Sequence, residues 1–477
     1  MKKAISIFLV LITVLSLCAC GKGSETGETG ETAGAVMEGL HVGYAREKIL
    51  PETPVPMGGY GNSANRISTG FLDYPYMTCV AFTEDGETVL MISQDLLRSV
   101  TAWSNQAREL IKNATGVPED HIMFCATHTH SSPDLGSDDT RIKQYRELYM
   151  NAAVKVAQDA LADRAPAKLS GAKVKTERMN FVRHYLLSDG SYGGDNFGDF
   201  TKNSIVDHAT VGDPELILIN IQREGEKKKD IALVNFQAHP CKTGGSKETN
   251  ISADFIGAAR DSFEQQTSML FAYFTGAAGN QNTSSRIPGE ALPYDNKEYG
   301  AALAKYVIDA LPTAEPIEGE GVKTKQLHYQ YATHQEGLDK LEQAKEVADL
   351  YAKNGDTDEG NALATQYGFH SLFQCRGIVA SATRPESGTM ELNAVYVAGM
   401  AFVTAPYEMF SNTALYIKEN SPFKYTVVCS CTTNMTNYFP TKEAFDYGCY
   451  ESFTAYFAKG CAEDSAQQLV DMLTTFQ

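Results

Sequence analysis

Phe124-Cys125-Ala126-Thr127-His128-Thr129-His130-Ser131-Ser132-Pro133-Asp134 holds two histidines where a buried apolar run gives out. The residues before it, from Asp120, follow a Gly116-Val117-Pro118 turn and read as a short buried strand. Side chains of a strand alternate between faces, so His128 and His130 are expected to point the same way. Paired imidazoles at the end of a buried strand, just ahead of Ser-Ser-Pro, sit where an α/β sheet builds its site. Taken alone, His-x-His describes two hydrogen-bonded surface histidines equally well, and it gains meaning only from its surroundings.

Upstream, residues 40–49 alternate as a first strand, and 76–82 with 88–93 form a hairpin around Asp85-Gly86. Asp95-Leu96-Leu97 leads into a helix ending near Lys112, and 141–164 is a long amphipathic helix. This order of strand, helix, strand, helix predicts an α/β fold with mixed central β-sheets flanked by helices. Downstream, strands are expected over 167–175, 214–222, 230–236 and 269–274, and helices over 253–266 and 297–311. Residues 335–353 and 358–380 carry 3.6-residue apolar stripes and are expected to form a helical hairpin over the sheet. A hairpin through Gly399 joins 391–397 to 401–405. Its end, Pro406-Tyr407-Glu408, is placed at the start of a helix to about Lys418. After a strand over 424–430, no regular element is expected before a terminal helix over 466–475.

The N-terminus is a processing segment. Lys2 and Lys3 precede an apolar run too short to span a membrane and stay there. The run ends Leu17-Cys18-Ala19-Cys20-Gly21, which resembles a bacterial lipobox with Cys20 as the lipidated residue. Residues 1–20 are therefore expected to be a lipoprotein signal peptide, and 21–38, rich in Gly, Glu and Thr, a flexible tether. The expected location is outside the cytoplasm, at the cell surface or facing the periplasm, with a lipid anchor in the bacterial membrane. A formal net charge of −18 argues against nucleic acid as a partner. Eight cysteines follow Cys20, none spaced Cys-x-x-Cys, and they read mostly as buried free thiols or a few pairs.

His128, His239 and Glu408 share one feature: each ends an apolar strand and precedes a loop or helix. Imidazole nitrogen and carboxylate oxygen suit Zn2+, and a hydrolytic zinc site keeps one position open for water. His130, on the face of His128, is placed as the group beside that water. The glycines of Met57-Gly58-Gly59-Tyr60-Gly61 allow a backbone to approach a ligand closely.

Those segments resemble the neutral/alkaline non-lysosomal ceramidase family, in its N-terminal catalytic domain. The resemblance is carried by Met57 to Gly61, Ala126 to Pro133, Phe236 to Pro240, Ser252-Ala253-Asp254, Pro406-Tyr407-Glu408 and Tyr438 to Glu451, in that order. It implies a catalytic domain over 39–477, with His128, His239, Glu408 and Tyr438 as zinc ligands and His130 beside the metal water. It further implies that Tyr450 polarises the scissile carbonyl, that Arg183 helps hold the substrate, and that Gly59, Tyr60 and Asn282 line the substrate site. The reaction implied is attack of a zinc-activated water on an N-acyl amide, ceramide or a related lipid amide. Two departures stand out. The family's full-length ceramidases carry a further β-sandwich domain, whereas here the chain ends 26 residues after Glu451, so no such domain is expected. Where the family has a substrate-side serine, this chain has Gly279-Asn280-Gln281-Asn282. The competing readings are a zinc hydrolase of another amide or ester, from cell wall or glycan, and a non-catalytic surface binding lipoprotein.

Overall fold

The computed structural model describes residues 38–60, 65–433, 435 and 437–477. The signal peptide, Cys20 and nearly all of the tether lie outside these residues, as does Gly61. Strands β1 (His41–Lys48), β2 (Tyr76–Glu84) and β3 (Glu87–Gln94) are followed by α1 (Thr101–Thr115), β4 (Ile122–Ala126) and α2 (Ile142–Ala162). Next come β5 (Ala165–Lys175), β6 (Glu215–Arg223), β7 (Ile231–Phe236), α3 (Asp254–Gln266), β8 (Leu270–Thr275) and α4 (Asn296–Ala310). The second half holds β9 (Val322–Ala332), α5 (Leu341–Asn354), α6 (Asp358–Gln366), α7 (Leu372–Ser381), β10 (Ser387–Val397) and β11 (Met400–Thr404). It closes with β12 (Glu408–Met409), α8 (Ser411–Asn420), β13 (Thr426–Cys429), β14 (Tyr438–Phe439), α9 (Lys442–Tyr447), α10 (Tyr450–Phe453) and α11 (Cys461–Thr474).

The larger sheet runs β8-β7-β6-β5-β1-β2-β3-β4, with Glu315–Pro316 added against β5. Its middle is antiparallel, and each end is a parallel pair, β3 with β4 and β7 with β8. The expected Asp85-Gly86 turn closes β2 on β3 with both residues at positive φ, the conformation a two-residue hairpin demands. A second sheet, β9-β10-β11-β13, ends in a third parallel pair, β11 with β13.

Alternation along the strands layers the molecule. Val80, Phe82, Ile217, Ile219, Leu233 and Phe274 of the large sheet share one core with Val395, Phe402 and Val427 of the small one, so the two sheets pack face to face. On the outer face of the large sheet, Leu90, Ile92 and Phe124 pack with α1 and α2, and Leu218, Val234 and Phe271 with α3 and α4. The outer face of the small sheet, including Leu392 and Val403, is covered by α8 and α11. The result is helices, sheet, sheet, helices: the mixed α/β architecture expected, in four layers.

Four expectations change. The stripe over 358–380 is not one helix: Gly368, at φ +78°, breaks it into α6 and α7. These helices and α5 do not lie over a sheet but bury Ala344, Val347, Leu372, Cys375 and Ile378 against one another, forming a lobe of their own. Glu408 belongs to a two-residue strand, and the helix after it starts only at Ser411. The span before the terminal helix contains β14, α9 and α10, and that helix begins at Cys461. Among the described residues, no helix is long and apolar enough to cross a membrane, and the eight cysteines are free, seven of them buried.

A candidate metal centre at the strand ends

The three parallel pairs of the two main sheets deliver their C-terminal ends to one place. From β4 the chain continues to His128, from β7 to His239, from β8 to Ala278, and from β11 to Glu408. Carboxyl ends of parallel strands are where α/β sheets open a crevice. The segment after β13 stitches the ends together: Ser430 N–H donates to Thr275, and Cys431 N–H to Tyr407.

His128 reaches the site differently from the expectation. The strand stops at Ala126, and His128 takes φ +70°, a left-handed conformation uncommon for residues other than glycine. Backbone bonds hold it there, from Thr127 N–H to Gln94 and from His128 N–H to Leu96. The two histidines converge, with Nε2 atoms 3.3 Å apart, through a turn and not through strand alternation.

The His128 Nε2, His239 Nε2 and Glu408 Oε2 atoms form an equilateral triangle, each edge 3.2 Å. His128 Nδ1 lies 2.6 Å from the Leu97 carbonyl, and His239 Nδ1 lies 2.6 Å from that of Ala278. A carbonyl only accepts, so each Nδ1 carries the hydrogen and each Nε2 turns a lone pair inward. Glu408 Oε2 is buried and finds no hydrogen-bond donor among the described residues. Three lone pairs facing one another require a cation. A triangle of this edge is one face of a tetrahedron whose centre lies about 2.0 Å from each corner, the length of zinc–nitrogen and zinc–oxygen bonds. The donor set therefore fits a metal ion. Without one, a proton takes its place: burial works against the imidazolium of His128, but Cys431 and Glu408 beside it hold its pKa well above the usual range. Glu408, despite burial, is held well below its usual range by His128 and His239.

The remaining site candidates surround this triangle. Tyr438 pairs with Glu408 in register across β12 and β14, and its ring stacks 6.5 Å from that of His239. Its side chain and those of His130 and Tyr450 line a cavity of about 390 Å³. A second cavity, of about 430 Å³, shares His130 and Tyr438 with the first and reaches His128 and Glu408. His130 is buried, and burial followed by the neighbouring His128 and His239 pushes its pKa well below the usual range, so its ring is neutral. Arg183 bonds Glu451 through Nε at 2.8 Å and Nη2 at 2.5 Å, donates to the Gly279 carbonyl, and covers the Tyr438 ring at 5.4 Å. Tyr60 meets the His130 ring edge-on at 5.2 Å. Asn282 lines the first cavity and donates to Asp195. Gly59 lines both cavities, and its first constraint is His130: a Cβ at Gly59 would sit 2.9 Å from that of His130.

Sequence reasoning missed the residues that hold these in place. Arg66, buried, donates to the carbonyls of Gly58 and His130 and so fastens the glycine loop to the histidine turn. Cys431 stands beside His128. Glu451 and His184 form a second buried group with Cys449, in which His184 Nε2 lies 2.7 Å from Glu451. Arg183 already neutralises that carboxylate. A Cβ on Gly279 would approach the Glu408 carbonyl to 2.5 Å, so the loop of Gly279 to Asn282 backs onto the carboxylate's own strand. No signal in the sequence singles out Arg66, a lone arginine in a loop.

No protein-family model matches the sequence, and no curated protein matches it. Solved structures do match the fold. Neutral ceramidase from Pseudomonas aeruginosa superposes with a TM-score of 0.68 at 16% identity, over 92% of this chain and 75% of that one. A ceramidase complexed with C2 superposes at 0.67 and 15% identity, with the same coverage. The chain shares the fold of those ceramidase structures.

Proposed function

We propose that this chain is an exported, lipid-anchored member of the neutral ceramidase family, a zinc-dependent amidohydrolase that cleaves the N-acyl bond of ceramide or a related lipid amide. The observation that carries the reading is the donor triangle of His128, His239 and Glu408, with Tyr438 beside it and two cavities lined by His130. A shared fold is compatible with many activities, so the weight rests on the side chains at the strand ends.

His128, His239, Glu408 and Tyr438 would hold the zinc. When bound, zinc supplies Lewis acidity toward an amide carbonyl and lowers the pKa of water. The chain's own groups do the rest. Neutral His130 takes a proton from the attacking water and returns it to the departing amine. Tyr450 donates its hydroxyl to the carbonyl oxygen as charge gathers there. Arg183, anchored by Glu451, keeps a fixed positive charge over Tyr438 and at the substrate cavity. Cys20 and the tether hold the catalytic unit at a membrane surface, where lipid amides are found.

Purified protein is expected to contain about one zinc per chain and to release fatty acid from a short-chain ceramide. His239→Ala should lose most of both. Full zinc occupancy in that variant would remove His239 from the ligand set. A metallated wild-type protein inert toward every lipid amide would overturn the amidohydrolase reading.

A further inference from the structure

The lobe of α5, α6 and α7 reaches the site through three side chains. Tyr351, Phe373 and Arg376 form the wall of the 390 Å³ cavity that faces His130, Tyr450 and Arg183. Arg376 lies flat on Tyr351, 3.9 Å from the ring centroid, with Phe373 at 5.8 Å. Phe373 in turn meets Tyr450 edge-on at 5.3 Å. Stacking occupies the faces of a guanidinium and leaves its N–H edge free for a planar oxyanion.

That edge has no counter-charge. Among the described residues, no carboxylate pairs with Arg376, although the chain carries 59 acidic residues against 41 basic ones. The acidic residue in the cavity wall, Asp195, is engaged by Arg286 and Asn282. Arg183 is matched by Glu451. Arg376 is thus a solvent-exposed positive charge without an ion-pair partner, oriented by an aromatic stack at the wall of a cavity that His130 also lines. Gly59, His130 and Tyr438 line both this cavity and the one that reaches His128 and Glu408 of the donor triangle. An amide seated at these shared residues has one cavity available to each of its halves.

The geometry points to an amide substrate whose amine portion carries an oxyanion, an N-acyl amino acid or its sulfonate counterpart, with Arg376 as the residue that selects it. The inference rests on the amidohydrolase reading above and narrows its substrate class. His130 lines both cavities, whereas the apolar Leu97 and Met435 line only the other one, so the acyl chain is assigned there and the charged half is the amine half. The acyl chain extends past Leu97 and Met435, which line the other cavity.

The test compares zinc-loaded protein acting on N-lauroylglycine and on N-lauroylethanolamine, which differ by a carboxylate in place of a hydroxymethyl group. Wild type should prefer the anion. In Arg376→Ala, the ratio of the two kcat/KM values should fall by about ten- to a hundredfold, the range for a lost charge-assisted hydrogen bond, mainly through KM. Arg376→Lys should recover part of it. An unchanged ratio in Arg376→Ala would overturn the assignment. Binding of N-(dodecylsulfonyl)glycine, measured by calorimetry, decides the matter without turnover. Wild type should bind it at least tenfold more tightly than Arg376→Ala, and equal or absent binding would overturn the proposal. Hydrolysis of neither amide, with binding still dependent on Arg376, would sink the amidohydrolase reading and leave the oxyanion site standing.

Discussion

His130 and His128 are two residues apart and have opposite surroundings. His128 gives Nδ1 to a carbonyl and faces Glu408, whereas Nδ1 of His130 is buried with no partner among the described residues. A metal-ligating imidazole has its second nitrogen fixed by a hydrogen bond, the condition that His128 meets and His130 does not. His130→Ala should keep near-normal zinc and lose about two to four orders of magnitude in turnover. Metal content and rate measured on one preparation check this, and parallel loss of both would make His130 a ligand. At this scale the sequence was legible where a polar residue interrupts an apolar run, as at His128, His239 and Glu408. Arg66 and Cys431 were not, because each acts on a partner far away in the chain, and Arg376 was not, because an arginine on an exposed helix face looks like any other in the sequence.

Strands ending in parallel pairs do the work of positioning. The two-residue ladder of β12 with β14 sets Glu408 beside Tyr438 although 30 residues separate them. Such a short ladder survives only on a rigid support, and the small sheet under α11 supplies it: Leu469 and Leu473 of α11 are fully buried against that sheet. Ending the chain after Gly460 keeps every proposed site residue yet removes α11. The truncated protein should lose cooperative thermal unfolding, and a sharp transition near the full-length Tm would show that α11 is dispensable. Elements with a buried alternating face were readable, as β2, β3 and β7 show. β9 was overlooked because it is an edge strand with most side chains partly or fully exposed, which blurs the two-residue period. The short α9 and α10 lack the length for a helical stripe, and their capping residues work only after the loop is folded.

Across the whole molecule, buried ion pairs join the layers. Arg108 of α1 bonds Glu391 of β10 through both terminal nitrogens, at 2.8 and 2.7 Å, and thereby links the helical layer to the small sheet. Arg183 and His184 converge on Glu451. Burial opposes the charge on Glu451, but His184 and Arg183 outweigh it and bring its pKa to about 2. An ordinary glutamate titrates near 4.3, so the folded value is depressed. The stability this group confers is therefore complete above that pH and drains away as the pH falls toward 2. Glu451→Gln should lower stability at neutral pH by about 3–5 kcal/mol, since it strands a buried guanidinium. It should also flatten the fall of Tm between pH 5 and pH 2 in metal-free protein. Equal slopes for variant and wild type would exclude this carboxylate from the acid response.

The cysteines give the molecule a clock. Burial pushes the thiols of Cys79, Cys125, Cys241, Cys375, Cys449 and Cys461 above their usual pKa, so little thiolate is present to react. Cys375 belongs to the α5–α7 lobe, Cys125 and Cys429 to the seam between the sheets, and Cys449 to the turn before α10. An alkylating reagent can reach the seven buried thiols only when their own layer opens, whereas Cys241 is partly exposed and lines a cavity. Mass-resolved labelling over time would then rank the parts of the protein by how often they breathe, with the native chain as its own reporter. The lobe that carries Arg376 should be labelled before the seam, because a small cluster of helices opens at less cost than two sheets packed face to face.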